Sequence, residues 1–298
     1  MLKRLLLRFL GALGAAAVAA GAVAPQAAVA RGPAMWSVSD ADTTVYLFGT
    51  IHLLPENYQW RTKKFDHAVA SSHELVVETV IDEKNPMQLL GLLTTMGFSK
   101  GLPPITERVP AAKRPALEEA IRKSGIPRAA FDGMETWAAA FMLLGNQFKE
   151  LGLRSGEGVE NVLRGNFTAQ GKPIGQLETN AEQLSYFDTL PESAQRALLE
   201  GAIEKPDAMR KEFARMVGAW SRGDVAAIAR TFNHDLSETP ELRASLLKRR
   251  NANWSAWIGR RMASPGAVMV AVGAGHLAGD DSVIAMLKKG GYRVRRLQ

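Results

Sequence analysis

Residues 45–52 have the sequence VYLFGTIH, an apolar run that ends in a glycine and, three residues later, a histidine. Residues 268–276 have the sequence VMVAVGAGH and repeat this pattern close to the other end of the chain. Each stretch predicts a buried β-strand, a glycine that permits a sharp exit, and an imidazole at the carboxyl end of the strand. Because α/β sheets bind ligands at the carboxyl ends of their strands, we expect His52 and His276 to share one site.

The glycine-to-histidine spacing is weak evidence when taken alone. The chain has 27 glycines in 298 residues, so a histidine falls three positions after a glycine by chance fairly often. The strand context strengthens the interpretation, because chance matches would fall on helices and loops as readily as on the two clearest strands. The alternative is that both are core histidines with satisfied hydrogen bonds and no chemical role.

The regions around the two histidines predict an α/β fold with a mixed arrangement of strands and helices. In residues 34–80, two strands flank a hairpin signal at residues 40–42 (DAD), and a helix and an apolar strand ending at Glu78 follow. The last 37 residues or so give a strand, a short helix over 280–287 and an edge strand over 292–295. We expect a central sheet that both terminal segments build together.

The middle of the chain, from about residue 85 to 262, is mostly helical in pattern. Proline and glycine separate segments of helix length. One strand-like interruption, residues 173–179 (PIGQLET), predicts a return to the sheet. We therefore expect residues 31–298 to form a single domain, with residues 85–262 as a helical insertion.

The first 30 residues predict a signal peptide. Lys3, Arg4 and Arg8 precede an apolar stretch rich in alanine, glycine and valine, and residues 28–30 (AVA) form a cleavage site. The stretch is too short and too rich in small residues to favour a permanent anchor, which is the alternative. We expect cleavage after Ala30, a periplasmic or secreted protein, and no stable membrane span.

Composition excludes several classes of protein. The chain has no cysteine, which excludes a disulfide framework, thiolate metal ligands and a cysteine nucleophile. The formal net charge of +7 includes three cations of the predicted signal peptide. The remaining excess is mild, so we expect no nucleic-acid partner.

Two imidazoles and a carboxylate, Glu78, at strand ends predict a site for a divalent cation. Such a ligand set suits Zn²⁺, Mn²⁺, Co²⁺ or Fe²⁺ and leaves positions open for activating water. Glu78 could serve as a ligand or as a general base, and its alternative is a solvated strand end. A serine mechanism is disfavoured because the chain has no GxSxG motif, and the glycines after residue 272 match neither dinucleotide nor phosphate loops.

Three of these elements, taken in order, resemble the TraB/PrgY/GumN family, which is related to the Tiki metalloproteases and more distantly to the ChaN/erythromycin-esterase group. The elements are LFGTIH (residues 47–52), ELVVE (74–78) and GAGHL (273–277). The resemblance covers about residues 34 to 297, and further matches are GVE (158–160), LET (177–179) with Gln183, and the pair Arg250-Asn251.

The resemblance implies a metal-dependent, peptidase-like site, with Mn²⁺ or Co²⁺ favoured and Zn²⁺ also compatible. The implied metal ligands are His52, Glu78 and His276; the implied catalytic groups are Glu78, Arg250 and Asn251; the implied substrate-binding groups are Glu178 and Gln183. A guanidinium and an amide would orient or polarise a substrate carbonyl.

The sequence thus supports an exported metal-dependent hydrolase that acts on a peptide or protein substrate. The alternative is a non-catalytic periplasmic binding protein that sequesters a peptide signal or an exopolysaccharide precursor in the same pocket. Loss of metal-dependent cleavage on substitution of Glu78 would distinguish the two.

Overall fold

A computed structural model describes residues 32–80, 86–151, 153, 158–237 and 240–298. The predicted signal peptide lies outside these residues. No helix in the described part of the chain is long and apolar enough to cross a membrane. The fold is α/β, as predicted, with helices packed on both faces of one six-stranded sheet.

The sheet combines four parallel strands with an antiparallel edge. Its order is β4-β3-β5-β2-β1-β6, in which β4, β3, β5 and β2 run parallel, and β1 pairs antiparallel with both β2 and β6. The strands are β1 Met35–Ser39, β2 Thr43–Thr50, β3 Glu74–Val77, β4 Ile174–Gln176, β5 Gly266–Gly273 and β6 Val294–Arg296.

The pairing of β2 with β5 confirms that distant parts of the chain are neighbours in one sheet. Val45 lies opposite Val268, and Thr50 lies opposite Gly273. β5 lies between β2 and β3. The helix between β2 and β3 therefore crosses over the width of one further strand, and the carboxyl-terminal segment supplies that strand. Both GxxH stretches therefore leave the sheet side by side and at the same edge.

Alternation along β2 and β5 places apolar side chains on both faces of the sheet. Phe48 and Met269 pack into the larger core, whereas Leu47 and Val270 pack into the smaller one. The larger core lies under most of the helices. The smaller core lies under the two helices that begin at Arg250 and at Val283. A strand buried on both faces reads as a continuous apolar run, which is why the sequence shows it so clearly.

The helices of the described residues connect and cover these strands. They are α1 Lys63–Ser71, α2 Pro86–Met96, α3 Arg114–Ser124, α4 Arg128–Gly133, α5 Thr136–Glu150, α6 Val159–Ala169, α7 Asn180–Asp188, α8 Glu192–Ala202, α9 Pro206–Ser221, α10 Val225–Ser237, α11 Pro240–Arg243, α12 Arg250–Arg261 and α13 Val283–Lys289. A π-helical segment, Ala244–Arg249, joins α11 to α12, and short 3₁₀ turns cover Ile105–Glu107, Ala111–Lys113 and Ala274–Leu277.

Two element boundaries differ from the sequence prediction. The last helix begins at Val283 rather than at residue 280, because the Ser282 hydroxyl accepts the amide hydrogen of Ala285 and caps the helix there. The edge strand covers Val294–Arg296, where it pairs with β1, so it begins two residues later than predicted.

The glycines of the two GxxH stretches have a different purpose from the one predicted. Gly273 has φ −49°, and Gly49 is not in the left-handed region, so neither supplies an unusual backbone conformation. Close packing requires both. A Cβ on Gly49 would lie 3.0 Å from the Ala274 Cα, and a Cβ on Gly273 would lie 3.2 Å from Glu78 Oε1. The missing side chains let the two strand exits approach each other.

Candidate functional site

The carboxyl ends of the four parallel strands deliver one site residue each, as the sequence predicted for three of them. The backbone register aligns Val77 with Gln176 and with Ala271, so these ends lie at one edge of the sheet. Across the sheet, the residues that follow the strands are Glu178 after β4, Glu78 after β3, His276 after β5 and His52 after β2. This is the edge at which α/β proteins bind ligands.

His276 is held in one orientation from several sides. Its Nδ1 donates to Asn251 Oδ1 at 2.6 Å, and the Asn251 amide donates in turn to the carbonyl of Asp281 at 2.7 Å, which fixes the amide's orientation. The Trp254 ring packs against the imidazole with centroids 4.4 Å apart. The other nitrogen, Nε2, therefore faces the site, 3.2 Å from Arg250 Nη1 and 4.0 Å from Glu78 Oε1.

Arg250 is fully buried and bridges two buried carboxylates. Its Nη2 donates to Glu78 Oε2 at 2.6 Å, and its Nε donates to Glu178 Oε1 at 3.0 Å, while Nη2 also contacts Glu178 Oε1. Burial lowers the pKa of Arg250, but the two carboxylates outweigh it and raise the pKa. Removing one partner from such a buried group leaves an uncompensated charge, so the three side chains depend on one another.

The carboxyl group of Glu78 is ionised and firmly held. Its Oε1 accepts the Gly273 amide hydrogen at 2.7 Å, and Gln183 donates to its Oε2 at 3.2 Å. Burial raises the pKa of Glu78, but Arg250 and the two histidines outweigh burial, and the pKa falls to about 2. Gln183 also donates to Glu178, whose pKa burial raises more than Arg250 lowers it.

His52 has a carboxylate partner that comes from helix α6. Its Nδ1 lies 2.7 Å from Glu160 Oε1, which the Thr50 hydroxyl also contacts. Burial lowers the pKa of His52, but the charge of Glu160 and the hydrogen bond to it raise the pKa to about 9. The side chain of His52 is 14% exposed, more than Glu78, Arg250 or His276, so among the described residues this side of the site is the more exposed.

The long helical region from Pro240 to Arg261 brings Arg250 and Asn251 to the sheet edge. The π-helical turn lies immediately before Arg250, and Ser245 within it donates to the carbonyl of Tyr186. π-helical turns shift the residues that follow around the helix axis and are frequent at functional sites. Arg250 and Asn251 consequently face the site, whereas Arg249 is exposed.

Three side chains that could be metal ligands lie beside Gly273. Where a Cβ on Gly273 would lie, Glu78 Oε1 is 3.2 Å away, His276 Cδ2 is 3.6 Å away and His52 Nε2 is 3.9 Å away. Two imidazoles and a carboxylate are suitable donors for a transition-metal cation, and each Nδ1 is engaged by a second group, which is the usual support for a metal-binding histidine. One carboxylate oxygen nearby, Glu160 Oε2, is buried and has no hydrogen-bond partner.

The donors fit a divalent cation in type and orientation, but they do not enclose one as they stand. Among the described residues, no three histidine, aspartate or glutamate side chains converge closely enough to hold an ion. Arg250 donates to Glu78 and faces His276 Nε2, so two of the three predicted ligands are engaged by a guanidinium. Binding a cation would require Arg250 to move away from Glu78 and His276, and metal binding stays a prediction.

All seven residues predicted from the sequence lie in this one cluster, and the structure adds three that the predicted set did not include. Glu160 holds His52, and its only sequence signal was the GVE match at residues 158–160. Trp254 packs on His276, and the Arg250 guanidinium lies over the Trp254 and Tyr186 rings. Nothing in the spacing of these aromatic residues distinguishes them from ordinary core residues.

Comparison with known proteins agrees with this arrangement. The family model described as TraB/PrgY/gumN family matches residues 34–296, which include every strand of the sheet. The chain belongs to the TraB/PrgY/gumN family. Among TraB/PrgY/gumN relatives, the uncharacterized protein YbaP of Escherichia coli strain K12 and that of Shigella flexneri are each 26% identical over 188 residues, which are 62% of this chain and 68% of theirs. No solved structure matches the chain.

Proposed function

We propose that this TraB/PrgY/gumN protein is an exported, metal-dependent hydrolase that cleaves peptide bonds in a peptide or protein substrate. The observation that carries the proposal is that His52, Glu78 and His276 follow the ends of three neighbouring parallel strands and lie together beside Gly273. Two imidazoles and a carboxylate brought to one edge of a sheet are a donor set that a divalent cation takes.

The buried charges support the same proposal. Among the described residues, the three carboxylates Glu78, Glu160 and Glu178 lie in the site with the cation Arg250 and with His52, whose pKa Glu160 raises. An excess of carboxylates in a poorly solvated place favours a bound cation. His52, Glu78 and His276 would hold it, with Mn²⁺ or Co²⁺ favoured by the family resemblance. When bound, the cation would supply Lewis acidity toward a peptide carbonyl.

The surrounding side chains have separable roles in this proposal. Both carboxylate oxygens of Glu78 are engaged, Oε1 by the Gly273 amide and Oε2 by Arg250, and these donors lower its pKa, which favours Glu78 as a ligand rather than as a general base. Both groups of the Asn251 amide are engaged, so Asn251 orients His276 rather than a substrate. Arg250 lowers the pKa of Glu78 and holds both Glu78 and Glu178 in place, and Gln183, which donates to both, would meet a substrate that reaches them.

Metal-dependent cleavage of a peptide library tests the proposal. The purified protein, expressed from its full-length sequence, is incubated with the library and Mn²⁺, Co²⁺, Zn²⁺ or a chelator, and the products are identified by mass spectrometry. We expect cleavage that needs a divalent cation and is lost in His52→Ala and Glu78→Gln. His67→Ala is the matched control, because His67 is an exposed histidine outside the site.

The second candidate is a non-catalytic binding protein for a peptide signal or an exopolysaccharide precursor. The observation that favours it is the engagement of Glu78 and His276 by Arg250, which leaves the cluster well paired without a cation. It predicts a peptide retained without turnover, and retention that survives Glu78→Gln. If the wild type and Glu78→Gln both retained intact peptide without a cation, the proposal that the protein is a hydrolase would be overturned.

A further inference from the structure

An apolar pocket lies beside His52, and none of the roles above uses it. We call it the His52 pocket and define it by its apolar walls, Ile51, Met216, Trp220, Ile228 and Ala274. His52 and Gly273 form the side that it shares with the candidate site. Its volume is about 320 Å³, counting the part open to solvent. The space that the pocket encloses is much smaller, about 20 Å³, so it suits the tip of one side chain rather than a whole ligand.

The pocket lies where a substrate must approach. Glu78, Arg250 and His276 are almost completely buried, and His52 is the more exposed of the proposed ligands. A peptide whose carbonyl reaches the site therefore passes His52. The side chain next to that carbonyl would then lie within reach of the pocket, because Gly273 borders both spaces.

The chemistry of the walls selects the kind of side chain that fits. The polar groups nearest to the pocket are engaged elsewhere, since the Trp220 indole donates to the carbonyl of Gly49 at 2.7 Å and the Thr50 hydroxyl contacts Glu160. The remaining polar side chain of the lining, His52, is paired with Glu160 through Nδ1, so a charged or amide side chain in this pocket would give up its hydration for few partners. An aliphatic side chain would lose nothing by leaving water.

Trp220 gives the pocket a rigid back wall. Its ring packs against Trp60 with centroids 5.8 Å apart, and Trp60 packs in turn against Phe48 and Phe65. Met216 and Trp220 lie one helical turn apart on α9, and Ile228 extends the wall from α10. A wall fixed by stacked rings does not have to be ordered when a substrate binds, which favours selection by shape.

We propose that the His52 pocket binds an aliphatic side chain of the substrate residue next to the scissile bond. This inference rests on the proposed hydrolase function and adds its substrate class, which is peptides with leucine, isoleucine, methionine or valine at that position. Ile228 and Met216 set the size limit, because they are the wall side chains that substitution can shorten or lengthen without touching His52.

A peptide series tests the selection directly. Peptides that differ only in the residue next to the scissile bond are incubated with the protein and Mn²⁺. The value of kcat/KM is measured for leucine, alanine, phenylalanine and aspartate at that position. We expect leucine to exceed aspartate by about a hundredfold and alanine by about tenfold. Ile228→Ala should move the preference toward phenylalanine, and Ile228→Phe should move it toward alanine.

The controls separate this inference from the proposed function. Ile121→Ala removes an equally buried isoleucine that does not line the pocket, so it should leave the order of the peptides unchanged. Cleavage that ignores the residue type would overturn the pocket assignment and leave the hydrolase standing. Absence of cleavage of every peptide would overturn the hydrolase and, with it, the assignment of the pocket to a scissile bond.

A binding measurement gives a readout that does not depend on activity. In protein labelled with ¹³C at the methionine methyl groups, the Met216 signal is assigned with Met216→Leu and followed during titration with N-acetyl-leucinamide or N-acetyl-aspartamide. We expect the leucine compound alone to shift the Met216 signal. A signal that moves with neither compound, or equally with both, would overturn the assignment of the pocket to aliphatic side chains.

Discussion

His52 and His276 occupy equivalent places in two similar stretches of sequence, but the fold gives them different surroundings. His276 is buried, and its partners are the Asn251 amide and the Trp254 ring. His52 is partly exposed, and its partner is the carboxylate of Glu160. The difference shows that one local pattern can supply a fixed interior group and an accessible group in the same site.

The physical origin of the difference is what packs over each strand exit. Helix α12 crosses the exit of β5 and covers His276 with Trp254 and Arg250. Helix α6 reaches the exit of β2 with its first residues, where the Val159 amide donates to the Ile51 carbonyl and Glu160 pairs with His52, and the pocket lies on the other side of His52. The sealed half of the site should therefore be important for stability, and the open half should govern what enters.

Removal of Arg250 should have the largest effect, because it removes the cation that the sealed half is built around. Arg250→Met leaves Glu78 and Glu178 buried without it, and we expect a loss of about 3–5 kcal/mol in the free energy of unfolding. Urea denaturation measures this, with exposed Arg249→Met as the control, expected within about 0.5 kcal/mol of the wild type. A loss below about 1 kcal/mol would show that the sealed half does not depend on the ion pairs.

Truncation of His276 should come next. His276→Ala opens a cavity beside Trp254 and leaves Asn251 Oδ1 without its donor, so we expect a loss of about 2–4 kcal/mol. Exposed His67→Ala provides the matched control and should be near neutral in the same urea titration. Equal stability of the two variants would contradict the view that the β5 exit is the sealed half.

The stability that His52 contributes should depend on pH. Because the folded-state pKa of His52 is raised to about 9 from 6.5, its attraction to Glu160 stabilises the fold fully below pH 6.5 and is lost as pH rises through 9. In a chelating buffer, the free energy of unfolding of the wild type should fall by up to about 3 kcal/mol more than that of Glu160→Gln as pH rises from 6.5 to 9.

A parallel measurement would identify the group that titrates. The imidazole of His52, followed by NMR in the same chelating buffer, should show a lower pKa in Glu160→Gln than in the wild type. Identical pH profiles of wild type and Glu160→Gln, by unfolding and by NMR, would show that the carboxylate does not control the open half.

The two strand-exit glycines offer the finest comparison. Gly49→Ala places a methyl group against the backbone of Ala274, so we expect a loss of about 1–3 kcal/mol. Gly273→Ala meets Glu78 Oε1 instead, and a side chain yields more easily than a backbone, so it should cost less stability but reduce cleavage. Gly91→Ala, in an exposed helical position with no neighbour within 4 Å, is the control. Unfolding and peptide cleavage are measured on the three variants. A fully active Gly273→Ala would contradict the expectation that the glycine is needed beside Glu78.

Much of the sheet could be predicted from the sequence. The hairpin at residues 40–42, the helix that precedes the strand ending at Glu78, and the return of the chain to the sheet at β4 all follow from local polarity patterns, and all are confirmed. The position of β5 between β2 and β3 has no local signal, because any of three parallel orders would bury the same apolar runs. The boundaries of the helices in the middle of the chain also could not be predicted, because they depend on caps and on packing against distant residues.

The sequence by itself determined which strands are buried on both faces, where each ends, and that a histidine or glutamate follows each end. These are properties of short segments, since alternation, apolar runs and glycine act over a few residues. Only the tertiary structure decided that Arg250 joins Glu78 to Glu178, that Glu160 holds His52, and that one histidine is sealed while the other borders a pocket. These ion pairs join residues up to 172 positions apart, as between Glu78 and Arg250, and their energy depends on burial that no local segment contains.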